Sequence, residues 1–247
     1  MRLLVRQDEA QSGERLMAED RDLLERAERG EIEPMVRFYE WSVPTLSLGY
    51  HQSADVLDDA RLQSAGVPWV RRPTGGAAVL HSEELTYAVV VPDVAGCGGA
   101  ARAQRLVAQA LAQGLRAVGV EAELNERGEP LSSLPDRTSC FVRTSRWEVS
   151  AGGRKLVGSA QRKLTRALLQ HGSILVGEDH LRIVEFLRLV DEHSRETLRN
   201  RLRERSTCIT HELGHPVSMT SLRHELAEAF VRVFAAARQE VDGAAAS

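Results

Sequence analysis

The chain has 247 residues, 43% of them hydrophobic and 27% charged, and a net charge of −3. That is enough apolar material for a sizeable core in one large domain or two small ones, and the charge balance argues against a general nucleic-acid or membrane-surface binder. No run reaches the roughly 18 apolar residues of a membrane span, and "MRLLVRQDEAQ" turns polar too early for a signal peptide, so the expected location is cytoplasmic.

Residues ~14–29 place Leu16, Leu23, Leu24 and Ala27 near one face of a helix. "PMVRFYEW" and "TLSLGY" read as short strands with Pro44 between them. "ADVLDDARLQSAG" predicts a short helix closed by Gly66. "VPWVRR" is a strand, "PTGG" a turn, and "ELTYAVVVP" a strand rich in β-branched and aromatic residues. Residues ~100–118 form an amphipathic helix with Gly119 near its end. A long loop, "NERGEPLSSLPDRTSC", ends at Cys140. "SRWEVSAGGRKLVGSAQRK" reads as a hairpin turning at Gly152-Gly153, and "RALLQHGSILV" as a further strand. Helices follow at ~178–190, ~196–205 and ~219–239, with a frayed tail from about 242 to 247. Strands dominate the middle and helices the ends, which predicts an α+β fold in a single domain over 1–247.

Cys97, Cys140 and Cys208 are widely spaced and odd in number, without a CxxC pair, so no disulfide framework is expected. In a reducing compartment each thiol is core filler or chemically used. Cys140 has the most cationic surroundings, with Arg143 and Arg146 beside it and Lys155 in the next hairpin, which favours thiolate. Only two lysines, Lys155 and Lys163, stand among 32 basic residues. Arginine replaces lysine on a solvated surface but not where an amine must lose its proton, so a retained lysine draws interest. Gly75 and Gly76 in "RRPTGG" fit either a plain hairpin turn or a close backbone approach to a ligand. His171, beside Gly172 in "LLQHGSIL", fits either a hydrogen-bonded core histidine or a site residue.

Taken in order and spacing, "RRPTGGAAVLHSEELTYAVV", "SCFVRTSRWEVSAGGRKLVGSAQ" and "LLQHGSIL" resemble the biotin/lipoate protein ligase and octanoyltransferase superfamily. The likeness runs from about Met17 to Phe234 and is closest to the LipM-type branch. It implies a mixed, mostly antiparallel sheet flanked by helices, as in biotin ligases and class II aminoacyl-tRNA synthetases. It also implies transfer of octanoyl from acyl carrier protein to a lysine of a lipoyl domain, such as that of glycine cleavage H protein. In that branch a cysteine precedes Phe, so Cys140 takes the nucleophile's place and Lys155 matches the lysine beside the acyl carbonyl. Burial in an apolar tunnel would bring the Lys155 amine into range for proton transfer. Arg72, Thr74, Gly75, Gly76 and His81 match the acyl-binding loop, and Gly158, Ser159 and His171 complete the implied substrate-binding set. Ser82 stands where the branch usually carries Asp, and "VRTSRWE" departs from its Pro-Ser-Trp-Tyr run. No cofactor or metal is implied. Arg137, Arg143, Arg162 and Arg166 are candidates for a patch facing acidic carrier proteins.

Other readings are an ATP- and magnesium-using lipoate ligase whose accessory domain is a separate chain, a lipoyl-domain amidotransferase, and an inactive acyl-binding module. "HELGH" at 211–215 matches a zinc-protease HExxH, but Gly214 lies within it and Pro216 follows at once, which opposes the helix the motif requires.

Overall fold

In the computed structural model, which describes residues 3–125 and 147–245, the most apolar strand of the sequence lies at the centre of the largest sheet. That sheet has the order β1-β2-β6-β11-β10. Its strands are β1 (Leu4–Gln7), β2 (Met35–Tyr39), β6 (Glu84–Val91), β11 (Leu168–Leu175) and β10 (Val157–Lys163). The β1–β2 pair is parallel and the other three pairs are antiparallel. Every residue of β6 is buried because helices cover both faces of the sheet, and alternate side chains serve different cores. Leu85, Tyr87, Val89 and Val91 pack toward α3 (Ala100–Ala117) and α6 (Met219–Ala245), which supply Leu106, Leu111, Leu115, Leu226 and Phe230. Ala88 and Val90 pack toward Leu16, Leu23, Leu24 and Ala27 of α1 (Gly13–Glu28). Each large apolar side chain removed from water in this way contributes about 1.5–3 kcal/mol.

A second sheet, β4-β3-β5, comprises β3 (Thr45–Leu48), β4 (Trp69–Arg71) and β5 (Val79–His81). Strand β3 pairs parallel to β4 and antiparallel to β5. The segment "PTGG" is therefore not a hairpin turn. Its flanking strands lie on opposite sides of β3, and the chain crosses past Gly49 to connect them. An alanine Cβ at Gly49 would lie 1.9 Å from the Gly76 carbonyl oxygen, so only glycine allows this crossing.

The third sheet runs β7 (Ala122–Asn125), β8 (Glu148–Ala151) and β9 (Arg154–Lys155), all antiparallel. Gly152 and Gly153 have φ of 53° and 72°, as a two-residue hairpin turn with both central residues left-handed requires. The expected long hairpin ends there, however. Leu156 donates its N–H to Val149 O (3.0 Å), while its own carbonyl accepts from Leu175 N–H (3.2 Å). It hands the chain from the third sheet to the first, so β10 pairs with β11 and not with β8.

The expected helix over "ADVLDDARLQSAG" is shorter. A 3-10 turn at Ala54–Val56 precedes α2 (Asp59–Ala65), which Asp58 caps by accepting from Arg61 N–H and Gly66 closes at φ 65°. The segment expected as a helix at ~178–190 is a 3-10 stretch, Asp179–Glu185. Leu181, Ile183, Val184, Phe186 and Leu187 all bury into one cluster with Leu46, Leu48 and Leu80, and so closely spaced a set leaves no single helical stripe. Next comes α4 (Glu192–Arg205), capped by Asp191, and then α5 (Ile209–Leu213). Helix α6 runs to Ala245, past the expected ~239. Among the described residues no helix is long and apolar enough to cross a membrane.

Candidate active site

Between the crossing loop and strands β10 and β11 lies a narrow cleft. Met17, Trp41, Val79, Ala160 and Gly172 contribute its apolar walls. Of the expected substrate-binding residues, Arg72, His81, Gly158, Ser159 and His171 line it. Thr74 reaches it through His171, while Gly75 and Gly76 shape the loop beside it. Cys140 lies outside the described residues, as do Arg137, Arg143 and Arg146.

Two buried polar arrays hold the cleft. In the first, Asp20 projects from the apolar stripe of α1 and is fully buried. Its Oδ2 sits 2.7 Å from His171 Nδ1 and accepts from Tyr39 OH at 2.9 Å, while Oδ1 accepts from the buried Arg37 Nη1 at 3.2 Å. The carboxylate orients the His171 ring, whose Nε2 lies 2.6 Å from the Thr74 hydroxyl oxygen. Burial and the Asp20 charge raise the Tyr39 phenol well above its ordinary value, which keeps it a donor. His171 is thus both a core histidine and the anchor of the glycine loop.

In the second array, Glu84 Oε1 receives His81 Nδ1 (2.7 Å), Thr86 Oγ1 (2.6 Å) and Ser173 Oγ (2.9 Å). His81 Nε2 and Ser47 Oγ are hydrogen-bonded at 2.8 Å, and Trp41 stacks on the His81 ring with centroids 3.9 Å apart. Trp41 Nε1 donates to Thr86 Oγ1, which ties this array back to the cleft wall. Arg72 acts as a loop clamp: it donates to Ser47, to the Gly75 carbonyl (2.8 Å) and to the Ala77 carbonyl (2.7 Å). At the cleft edge, Tyr87 OH meets Ser159 Oγ at 2.7 Å, and burial pushes that phenol up to about 12.

Lys155 is not on the cleft wall. It stands on β9, three residues before Gly158, and its surroundings differ from the apolar tunnel expected from sequence. Its buried Nζ donates to the buried Glu148 carboxylate. The hairpin geometry puts this carboxylate there: Glu148 begins β8, Lys155 ends β9, and Ser150 lies opposite Lys155. On the other side Thr207 N–H donates to the Lys155 carbonyl at 2.9 Å.

The remaining candidates separate cleanly. Burial raises the thiols of both Cys97 and Cys208, which disfavours thiolate. Helix α5 ends at Gly214 with φ 72°, so His211 and His215 do not share a helix, and Glu212 accepts from Arg154 Nη2 (2.9 Å). Arg162 is engaged locally, donating to Pro73 O (3.1 Å) and lying over the Tyr50 ring, and the Arg166 backbone N–H donates to Glu28. Sequence reasoning missed Asp20, Arg37, Trp41, Ser47 and Glu84, and gave no role to Glu148 although it lies in the quoted stretch "VRTSRWE". The signal for Asp20 was present: a carboxylate at the centre of the stripe 16-17-20-23-24-27. Arg37, a charge inside the uniformly buried "MVRFY", was a second such signal.

The family model described as lipoyl protein ligase A/B catalytic domain matches residues 13–231. An octanoyltransferase LipM of Kyrpidia tusciae is 38% identical over 226 residues, covering 89% of this chain and 82% of the relative. A second, from Symbiobacterium thermophilum, is 38% identical over 208 residues, covering 83% and 76%. The fold is shared with a bi-partite lipoate protein ligase from Thermoplasma acidophilum, with a TM-score of 0.73 and 23% identity over 98% of this chain and 92% of that one. A lipoate-protein ligase A bound with ATP gives a TM-score of 0.69 at 24% identity, covering 98% and 95%. The chain belongs to the lipoyl protein ligase A/B catalytic domain family and is an acyltransferase.

Proposed function

We propose that this protein moves an octanoyl group from acyl carrier protein to a lysine of a lipoyl domain through a thioester on Cys140, in lipoate biosynthesis. The observation that carries the reading is the cleft. Its walls are largely apolar, and the polar side chains along it are occupied in the two arrays that hold those walls. A slim unbranched acyl chain suits such a site. The octanoyltransferase relatives, similar over about four fifths of their length, support the same substrate class.

In this reading the Cys140 thiolate attacks the octanoyl thioester, the acyl–sulfur bond to the carrier breaks, and the carrier thiol leaves. The acceptor amine then attacks the Cys140 thioester, gives up its proton as the amide forms, and releases the cysteine thiol. Splitting the transfer into two steps lets two protein partners visit in turn. The first step exchanges one thioester for another and the second forms an amide, so no nucleotide or metal is needed. Lys155 is the acid/base group that handles the proton.

Intact-mass spectrometry after mixing the protein with octanoyl-acyl carrier protein, without ATP, tests this. An octanoyl adduct mapped to Cys140, lost on adding a lipoyl domain and absent in Cys140→Ser, is the expected result. Modification of the lipoyl domain only when ATP and free octanoate are supplied would establish a ligase instead.

A further inference from the structure

Glu148 closes the stretch "VRTSRWE", to which no role has been given, and it is the buried charge that meets Lys155. We infer that Glu148 is a positioning residue for acyl transfer, fixing the Lys155 ammonium in place and supplying its countercharge; this rests on the transferase reading of the preceding section.

Both side chains are nearly removed from water, at 3% exposure for Glu148 and 4% for Lys155. A lone ammonium so buried is costly, and a carboxylate hydrogen-bonded to it offsets the loss of hydration. The backbone around the pair is held from several directions. Glu148 lies opposite Asn125 of β7, while Lys155 lies opposite Ser150 of β8 and bridges to Ser206. Directly before Glu148, Trp147 has φ 63°, a conformation a bulky residue rarely adopts, with its N–H donating to Asn125 O at 2.6 Å. Such strain persists only where the surroundings enforce it, and here it sets the direction in which the chain enters β8. The consequence is a lysine whose four-carbon stem is not free to sample rotamers. Its Nζ is held at one end of a fixed ion pair, and acyl transfer depends on such placement, because a misplacement of about 1 Å can lower the rate about 100-fold.

The test uses the full-length chain, octanoyl-acyl carrier protein and a lipoyl domain, with steady-state transfer and melting measured in parallel. Glu148→Gln keeps the shape and removes the charge. It is expected to lower kcat at least about 10-fold while the KM for each partner stays within about twofold, the pattern of an interaction used in the transition state. In a Lys155→Gln background the same change is expected to cost less than about twofold, because the contact through which Glu148 positions the amine is already gone. A merely structural glutamate would instead multiply the two losses. The double variant should also melt higher than Glu148→Gln alone, since it removes the buried ammonium whose countercharge the single variant takes away. Should Glu148→Gln not fold, Glu148→Asp keeps the charge but draws it back by one methylene, and kcat is expected to fall at least about threefold at unchanged KM. Native kcat in either single variant, or multiplying losses in the double, would overturn the inference while leaving the transferase reading intact. Failure of the native protein to acquire octanoyl from the carrier would overturn both.

Discussion

Gly49→Ala should distort the cleft, the acyl site in the proposed function, without touching any residue that lines it. The alanine Cβ would sit 1.9 Å from the Gly76 carbonyl oxygen, 2.9 Å from its carbonyl carbon and 3.2 Å from the Gly75 carbonyl carbon. Ordinary contact begins near 3.4 Å, so the oxygen must retreat by 3.4 − 1.9 = 1.5 Å. All three atoms are backbone, and no rotamer change relieves them. The crossing loop is also tied down on several sides. Tyr50 N–H donates to Thr74 O at 2.8 Å, Thr74 holds His171 at 2.6 Å, and Arg72 grips Gly75 O at 2.8 Å and Ala77 O at 2.7 Å. Lengthening any of these by 1.5 Å breaks it. Overpacking costs about 1–3 kcal/mol, and one or two lost hydrogen bonds add about 1 kcal/mol each. For a chain of this length the total corresponds to a fall in Tm of roughly 4–20 °C. Loop displacement on this scale should slow acyl-enzyme formation about 100-fold. Scanning calorimetry and single-turnover acylation read the two effects separately. A native Tm would refute the steric reasoning, and a lowered Tm with native acylation would refute the placement of the loop at the acyl site.

Gly75 provides the contrast: an added Cβ there meets nothing within 4 Å, so Gly75→Ala should melt within about 1 °C of native, and a loss of acylation in it would report the approach of the acyl group itself. Asp20→Ala leaves the buried Arg37 and His171 without their shared carboxylate and should cost about 3–5 kcal/mol, seen as a fall in Tm of roughly 6–20 °C. His180 is buried, and burial, opposed in part by the Gly177 carbonyl, lowers it from 6.5 to about 4. The unfolded chain therefore takes up this proton first, so the stability His180 contributes is complete above pH 6.5 and is lost progressively as pH falls toward 4, by up to about 3 kcal/mol. Urea midpoints at pH 7 and pH 4.5 should diverge less in His180→Gln than in the native chain.

The sequence revealed most where a pattern has one physical solution. The β-branched and aromatic run of β6, the stripe of α1, the left-handed Gly152-Gly153 turn and the closing of α2 by Gly66 all follow from local rules. Less was legible where neighbours in space decide. "PTGG" has the composition of a hairpin turn, but β3 separates the strands it joins, and that insertion is a long-range fact. The hairpin after Trp147 splits because Leu156 has hydrogen-bonding partners in two sheets. Within the site, the resemblance identified side chains near the cleft but not what holds them: Asp20, Glu84 and Glu148 come from three distant segments and each binds one of the expected residues. A carboxylate's partner cannot be read from spacing when that partner lies 151 positions away, as His171 does from Asp20.

Ser82 shows how a departure from the family pattern is absorbed. The resemblance expects aspartate after the loop histidine, and here serine stands there, donating to Asp179 Oδ2 at 2.7 Å. A carboxylate thus lies one hydrogen bond from position 82, supplied by the 3-10 stretch instead of the loop itself. Restoring the family residue should therefore be harmful. Ser82→Asp would bring two carboxylates together beside Asp179, whose side chain is 30% exposed and lies 3.6 Å from Arg182. Solvent and that arginine moderate the repulsion, which leaves a cost of about 1–2 kcal/mol at low salt and a fall in Tm of roughly 2–8 °C. Exchanging the two residues, Ser82→Asp with Asp179→Ser, rebuilds the pair in reverse and should recover most of the loss. Melting of the two single variants and the double, at low and at high salt, decides it: equal stability of Ser82→Asp and the native chain at low salt, or no recovery in the double, would show that Asp179 does not stand in for the missing aspartate.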